Sequence, residues 1–221
     1  MQRRYWLLGL LAAAGLGIMA EAGEAREPER TKEQEAEIKK IALTFDDGPH
    51  PVYTPQMLEL LEEKQIPATF FLLGQNVEEH KELVKEIADG GHLIGNHTYH
   101  HVQITTLPAE QAYAEISETS ELIENLTGKG TEYVRPPFGT WNEGLEAELD
   151  LIPVMWTIDT LDWTTANVDW IVEQVVEDAG ENDIILMHDS YKSTVQAVER
   201  IVDLLEADGF EFVTVDEVIM D

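Results

Sequence analysis

The chain has 221 residues, no cysteine and a formal charge of −30, with 44 acidic against 14 basic side chains. Such a surface repels nucleic-acid phosphates and anionic lipid, and it disfavours a strongly anionic polymer as substrate. Without cysteine no disulfide can form, so the fold must rest on its hydrophobic core; a domain of this size can do that even outside the cell. The chain opens with Arg3-Arg4, an apolar stretch from Leu7 to Ala20 and an Ala20-Glu21-Ala22 exit. This is the pattern of a secretory signal peptide over residues 1–22. An uncleaved N-terminal anchor, tilted in the bilayer, is the alternative. Residues 23–38 are charged and poor in apolar side chains, which predicts a linker or a loose first helix.

From residue 39 to 221 short apolar runs alternate with amphipathic segments, as expected of one domain. The predicted strands are Ile41–Phe45, Ala68–Leu73, His92–Gly95, a short one ending at Val134, Pro153–Ile158, Ile184–Met187 and Phe212–Val215. Between them the 3.6-residue pattern predicts helices over Pro55–Lys64, Val77–Asp89, Pro108–Leu126, Glu143–Glu148, Val168–Ala179 and Thr194–Ala207. Thr54-Pro55 reads as a cap followed by proline at the first helical position. Gly128, Gly180 and Gly209 sit where helices should stop. Strand–helix alternation implies an α/β fold with a mostly parallel sheet, open or closed into a barrel. In either architecture the reactive groups belong on loops after the carboxyl ends of strands.

The polar residues obey that rule. Thr44-Phe45-Asp46-Asp47-Gly48-Pro49 follows the apolar run Ile41-Ala42-Leu43, so two adjacent carboxylates close a buried strand. Like charges this close repel and are costly to desolvate, which suits one carboxylate holding a metal and the other moving a proton. A solvated strand-end turn is the plainer explanation. Four of the seven histidines, His92, His97, His100 and His101, fall within ten residues. The spacing of His97 and His101 predicts two imidazoles on one face of a helical turn. With one carboxylate they would complete the three protein ligands of a zinc-like centre, and cobalt or manganese fits the same donors. His92 and His100 are read as packing or loop hydrogen-bonding residues.

Other positions carry a structural alternative too. Arg135 before Pro136-Pro137 could be a surface loop residue, and Asp159 and Asp162 could cap the turn before the Val168 helix. Trp163 and Leu186 suit a core as well as a pocket wall. His188-Asp189-Ser190 superficially suggests a serine hydrolase, yet no Gly-x-Ser-x-Gly elbow occurs in the chain.

Five segments together resemble one family. Thr-Phe-Asp-Asp-Gly-Pro at 44–49, His-Thr-Tyr-His-His at 97–101, Arg-Pro-Pro-Phe-Gly at 135–139, Asp-Thr-Leu-Asp-Trp at 159–163 and Leu-Met-His at 186–188 occur in that order. They are similar to the five motifs of the NodB-homology polysaccharide deacetylases, also called carbohydrate esterase family four. The resemblance implies a distorted (β/α) barrel of seven or eight mostly parallel strands with outer helices. It implies Asp47, His97 and His101 as ligands of one divalent metal, zinc first and cobalt or manganese as alternatives. It further implies Asp46 as general base, Arg135 holding Asp46, His188 as general acid and Asp162 supporting the His188 imidazolium. Trp163 and Leu186 would wall the pocket for the acetyl methyl. Phe138 stands where many relatives have Tyr; its backbone N–H would face the developing oxyanion, and a contact through the tyrosine hydroxyl would be lost.

The implied reaction is removal of N-acetyl groups from an N-acetylglucosamine-containing polysaccharide or oligosaccharide by a secreted or extracytoplasmic enzyme. A membrane partner enters only if the N-terminal segment stays uncleaved. Rival functions are an O-acetyl xylan esterase using the same residues, a wall-polysaccharide binding module with an inactive site, and an aspartyl-phosphate phosphatase. Against the last, adjacent side chains in an extended strand point to opposite faces, so Asp46 and Asp47 should diverge.

Overall fold

A computed structural model describes residues 38–141, 144 and 149–219. The expected signal peptide and nearly all of the linker lie outside the described residues, as does most of the Glu143–Glu148 helix. In chain order the elements are β1 (Lys39–Gly48), α1 (Tyr53–Lys64), β2 (Thr69–Leu72), α2 (Gly74–Glu79), α3 (Lys81–Asp89) and β3 (Leu93–Asn96). Then come α4 (Ala109–Thr127), β4 (Tyr133–Val134), β5 (Ile152–Pro153), β6 (Ile158–Asp159), α5 (Val168–Val176), β7 (Asp183–His188), α6 (Lys192–Ala207), β8 (Phe210–Val213) and α7 (Val215–Ile219).

Every strand pairing is parallel, in the order β5–β4–β3–β2–β1–β7–β6. β8 pairs with the first residues of β1, on the edge that β2 occupies further along. Among the described residues no pairing joins β5 to β6, so the eight strands curl into an open barrel. The parallel sheet is the one expected from the alternation of elements, and its curl is the distorted (β/α) barrel that the family resemblance implies.

The strand period of two sorts the side chains. Ile41, Leu43 and Phe45 of β1, Phe70 and Leu72 of β2, and Ile185 and Met187 of β7 pack outward against Met57, Leu61, Val84, Ile87, Ile171 and Ile201 from the helices. Ala42, Phe71, Tyr133, Val154 and Ile184 form a smaller inner cluster with Val213 and Val215. Thr44 and Asp46 share parity with Ala42, and Leu186 and His188 share parity with Ile184. The register pairs Asp46 directly with His188, so a carboxylate and an imidazole arrive side by side on the inner face.

Three expectations need correction. The single strand over Pro153–Ile158 is two short strands, because the carbonyls of Val154 and Met155 turn inward to accept hydrogen bonds from Arg135 Nε and Nη2, each at 3.2 Å. The helix over Val77–Asp89 is interrupted at His80, whose backbone (φ −128°, ψ 50°) ends α2 and starts α3. Thr54 does not cap α1. The helix starts at Tyr53, and the Thr54 hydroxyl is drawn into the interior to donate to Asp189. Gly128 does stop α4, with φ 73°, whereas α5 ends at Val176, short of Gly180. Among the described residues no helix is long and apolar enough to cross a membrane.

Candidate active site

The carboxyl ends of β1, β3, β6 and β7 and the loops after them surround a cavity of about 340 Å³. Asp46, Asp47, His97, His101, Phe138, Trp163, Leu186 and His188 all line it. Arg135 and Asp162 are fully buried behind that wall. A larger groove of about 810 Å³ runs beside α1 and α3, past Leu58, Glu62, Glu86 and His92. Among the described residues, the one group of side chains able to hold a metal ion is in the smaller cavity.

That group is Asp47, His97 and His101, whose ligand atoms lie within 4.8 Å of one another. Asp47 Oδ1 is 3.4 Å from Nε2 of both histidines. It is buried, and no hydrogen-bond partner meets it among the described residues. A buried anionic oxygen without a donor is costly, and one oxygen with two imidazole nitrogens is the donor set of a borderline-soft divalent ion. His97 Nδ1 lies 2.5 Å from the carbonyl of Arg135, so that nitrogen donates its proton and Nε2 keeps a free lone pair towards Asp47. These residues therefore fit a divalent metal. Burial pushes Asp47 up, but the close approach of His97 and the neighbouring imidazoles outweigh it and leave the carboxyl below its ordinary range. Burial holds His101 below the usual imidazole value, against the pull of the Asp47 charge.

The backbone brings these groups together in a way the spacing did not show. His97 to His101 is a loop, not a helical turn. Thr98 (φ 67°) and His101 (φ 57°) both adopt the left-handed conformation, and that reversal returns His101 towards His97, with ring centroids 5.1 Å apart. Asp47 is left-handed as well, φ 71°. The chain is not extended there, so the two adjacent acids do not diverge: His97 Nε2 is 3.7 Å from Asp46 Oδ2 and 3.4 Å from Asp47 Oδ1. Residues held in such sparsely populated conformations concentrate at functional sites.

Arg135 organises Asp46. Its Nη1 donates to Asp46 Oδ1 at 2.8 Å and to the Thr44 hydroxyl at 2.6 Å. Thr44 in turn donates to the Ile185 carbonyl, linking β1 to β7. The guanidinium lies 4.2 Å from the centroid of Phe71. Burial lowers Arg135, and Asp46 opposes that shift.

Asp162 does the same for His188. Its Oδ1 lies 2.7 Å from His188 Nδ1, and its Oδ2 accepts from the His188 amide at 2.8 Å and the Thr194 hydroxyl at 2.6 Å. His188 Nε2 then points to Asp47 Oδ2, 4.0 Å away. Burial alone would lower the imidazole, but its hydrogen bond to Asp162, with the charges of Asp162, Asp46 and Asp47, raises it to about 9. Asp162 is thus no cap for α5; Asn167 fills that position, accepting from the Trp170 amide. Asp159 makes a local turn, accepting from the Leu161 amide at 2.9 Å, and also borders the cavity.

Leu186 is both core and wall, whereas Trp163 stands 56% exposed. Sequence reading overlooked Trp156 and Tyr191, which also line the cavity. Tyr191 begins three residues beyond His188, on a strand-end loop, and that position was the available signal. His92 and His100 lie apart from the ligand group: His92 accepts from the Ala68 amide and His100 pairs with Glu115.

The model of the family described as polysaccharide deacetylase matches residues 33–153. The peptidoglycan-N-acetylglucosamine deacetylase PgdA of Listeria monocytogenes is 37% identical over 179 residues, covering 81% of this chain but only 38% of that longer protein. A chitooligosaccharide deacetylase of Rhizobium leguminosarum is 41% identical, over 68% of this chain and 72% of the relative. The solved structure of the peptidoglycan deacetylase PdaC from Bacillus subtilis superposes with a TM-score of 0.80 at 35% identity, covering 83% of this chain and 91% of that one. With fold, ordered motifs and relatives in agreement, the chain belongs to the NodB-homology polysaccharide deacetylase family.

Proposed function

We propose that the domain over residues 39–221 is an extracytoplasmic hydrolase that removes N-acetyl groups from N-acetylglucosamine units of a glycan, peptidoglycan or chito-oligosaccharide, and releases acetate. The observation that carries this reading is one cavity holding a carboxylate–imidazole–imidazole ligand group with a second carboxylate and a second imidazole against it. Amide hydrolysis needs a base for the attacking water, stabilisation of the oxyanion and a proton for the departing amine.

Asp47, His97 and His101 would hold a divalent ion, zinc by donor chemistry with cobalt or manganese compatible. Such an ion supplies Lewis-acid polarisation of the acetamide carbonyl and of the attacking water. Asp46, oriented by Arg135 and Thr44, takes the water proton; a positioned base contributes about 10²–10⁴-fold. His188 delivers a proton to the nitrogen as the bond to the acyl carbon breaks. An amine is a poor leaving group unless protonated, so an imidazole held charged to about pH 9 suits an amide better than an ester. Leu186, Trp156 and Trp163 enclose the acetyl group in apolar surface. Of the four aromatic side chains exposed among the described residues, Phe138, Trp163 and Tyr191 line this cavity and only Tyr113 does not. Such grouping marks a recognition surface, and it supplies flat apolar faces for the carbon faces of sugar rings. The acidic surface suits a neutral or cationic glycan, and the leader-like pattern of residues 1–22 supports a reaction outside the cytoplasm.

The test is acetate release from N-acetylated chito-oligosaccharide, peptidoglycan and acetylxylan, with and without chelator. Release from the first two, abolished by chelator and restored by zinc, is expected; release from acetylxylan alone would make the protein an esterase. In variants, Asp46→Asn keeps the metal and loses turnover, whereas Asp47→Ala loses both. Equal metal loss in the two would reverse the roles assigned to the acids.

A further inference from the structure

Between the two histidines of the ligand group, the backbone of Tyr99 and His100 turns its amides away from the cavity, towards α4. Both amides point at one side chain. Glu115 Oε2 accepts from Tyr99 N at 3.1 Å and from His100 N at 2.9 Å, and Glu115 Oε1 lies 2.8 Å from His100 Nδ1. Only 15% of the Glu115 side chain is exposed. Neighbouring backbone groups of this loop are engaged elsewhere: the Thr98 amide donates to Asn96 Oδ1, and the carbonyls of Thr98 and Tyr99 accept from Gly74 and Gln75 at the start of α2.

We propose that Glu115 is the positioning residue that fixes the spacing of His97 and His101 for metal binding, by capping the amides of the reversal between them. The argument rests on Asp47, His97 and His101 being the ligands. Two residues of this loop, Thr98 and His101, sit in the left-handed region that non-glycine residues avoid, so the loop needs external support to persist. Successive backbone N–H groups converging in a turn form an anion-binding concavity, and a carboxylate from the neighbouring helix fills it. Charge-assisted hydrogen bonds to two adjacent amides set the path of the chain. That path is what brings His101 Nε2 to 3.4 Å from the same Asp47 oxygen that His97 faces. Without Glu115 both amides would seek water, the reversal would relax and the imidazoles would part.

The His100 imidazole contact is incidental to this function, since its ring is largely exposed. The hydroxyl of Tyr99, which donates to Glu78 at the surface, does not support the reversal either.

The experiment is titration of the metal-free full-length protein with Co²⁺, read as visible absorption. It is run on wild type, Glu115→Ala, Glu115→Gln and His100→Ala, with metal-free melting curves alongside. Glu115→Ala is expected to weaken Co²⁺ by about 10–100-fold, the range for partners one step removed from a metal, with the melting temperature little changed. Glu115→Gln, whose amide oxygen can still accept from both N–H groups, recovers most of the affinity, and His100→Ala matches wild type. Glu115→Ala indistinguishable from wild type would overturn the proposal and leave the ligands standing. His100→Ala as weak as Glu115→Ala would overturn it too, by moving the effect to the imidazole. No Co²⁺ binding by wild type would overturn the ligand assignment itself. Amide hydrogen exchange in wild type needs no variant: slow exchange at Tyr99 and His100 supports the cap, and exchange at unprotected rates refutes it.

Discussion

Replacing Asp162 by Asn removes one charge from the partner of His188 and turns one of its two accepting oxygens into a donor, so the amide oxygen can still serve His188 Nδ1 or the pair formed by the His188 amide and the Thr194 hydroxyl, but not both. An imidazole raised from 6.5 to about 9 has its charged form favoured by roughly 3 kcal/mol. Asp162 is the leading favourable cause, acting against burial, so the variant should return His188 to the ordinary imidazole range or below. At pH 8 an imidazole of pKa 9 is about 90% protonated and one of 6.5 only about 3%. If His188 must be charged to protonate the leaving amine, Asp162→Asn should lose about 30-fold in rate one pH unit below the wild-type His188 midpoint and very little about three units below it. A bound dication would lower both imidazoles together, so the interval between wild type and variant moves along the pH axis without closing. The assay is acetate release from a chito-oligosaccharide between pH 5.5 and 9 on both metal-loaded proteins. Imidazole nitrogen shifts by NMR follow the proton itself. A variant equally impaired at both pH values, with its His188 titration unmoved, would show that Asp162 acts through shape and not through charge.

Arg135→Met should be severe for stability, since Asp46 is left buried without its cation; breaking such a pair costs about 3–5 kcal/mol. Urea unfolding measures it, and adding Asp46→Asn should recover part of the loss; no recovery would place the effect in packing against Phe71. Asp189 is wholly buried beneath Gly48, where a Cβ would stand 2.7 Å from both its oxygens, and burial raises its carboxyl from 3.8 to about 7. A carboxyl with a raised folded pKa keeps its proton in the fold after the unfolded chain has lost it, so between about pH 4 and 7 each rise in pH destabilises. Asp189→Asn should therefore gain on wild type by on the order of 1–3 kcal/mol across that window, in unfolding curves at several pH values. A constant difference would assign Asp189 a permanent charge. Tyr191→Ala should weaken binding of a long chito-oligosaccharide to the metal-free protein by about 1 kcal/mol, the value of one aromatic contact, measured by calorimetry. An unchanged affinity would remove Tyr191 from the glycan surface.

The barrel was legible wherever the signal is local. Ile41, Leu43 and Phe45 alternate with Ala42, Thr44 and Asp46, and that alternation suffices to put Asp46 on one face of a buried strand. The same parity carries Leu186 and His188 to the inner face of β7. What escaped was settled by partners far along the chain. Pro153–Ile158 has the composition of one strand, but Arg135 claims the carbonyls of Val154 and Met155 and breaks it. Thr54 has the composition of a helix cap, but a buried carboxyl 135 residues away takes its hydroxyl. A side chain with two possible partners goes to the one from which water is better excluded, and local sequence does not record that choice.

The site divides along the same line. Residue types and order pointed to His97 and His101 with one acid of the doublet, the family resemblance singled out Asp47, and the structure brings these three side chains together. Their geometry was not readable, and both geometric expectations failed for one reason. A helical i, i+4 relation and an extended Asp-Asp pair each assume ordinary backbone, whereas Asp47, Thr98 and His101 all adopt positive φ without being glycine. Such conformations persist only when surrounding contacts over-determine them. Those contacts are Asn76 on the Asp47 carbonyl, Asn96 on the Thr98 amide and Glu115 on the next two amides. None of the three carries a motif signature of its own, so the residues that shape the ligand group are harder to find than the ligands. The strain in the backbone is what exposes them: Asn76, Asn96 and Glu115 each bond the backbone of a left-handed residue or of its neighbours in the loop.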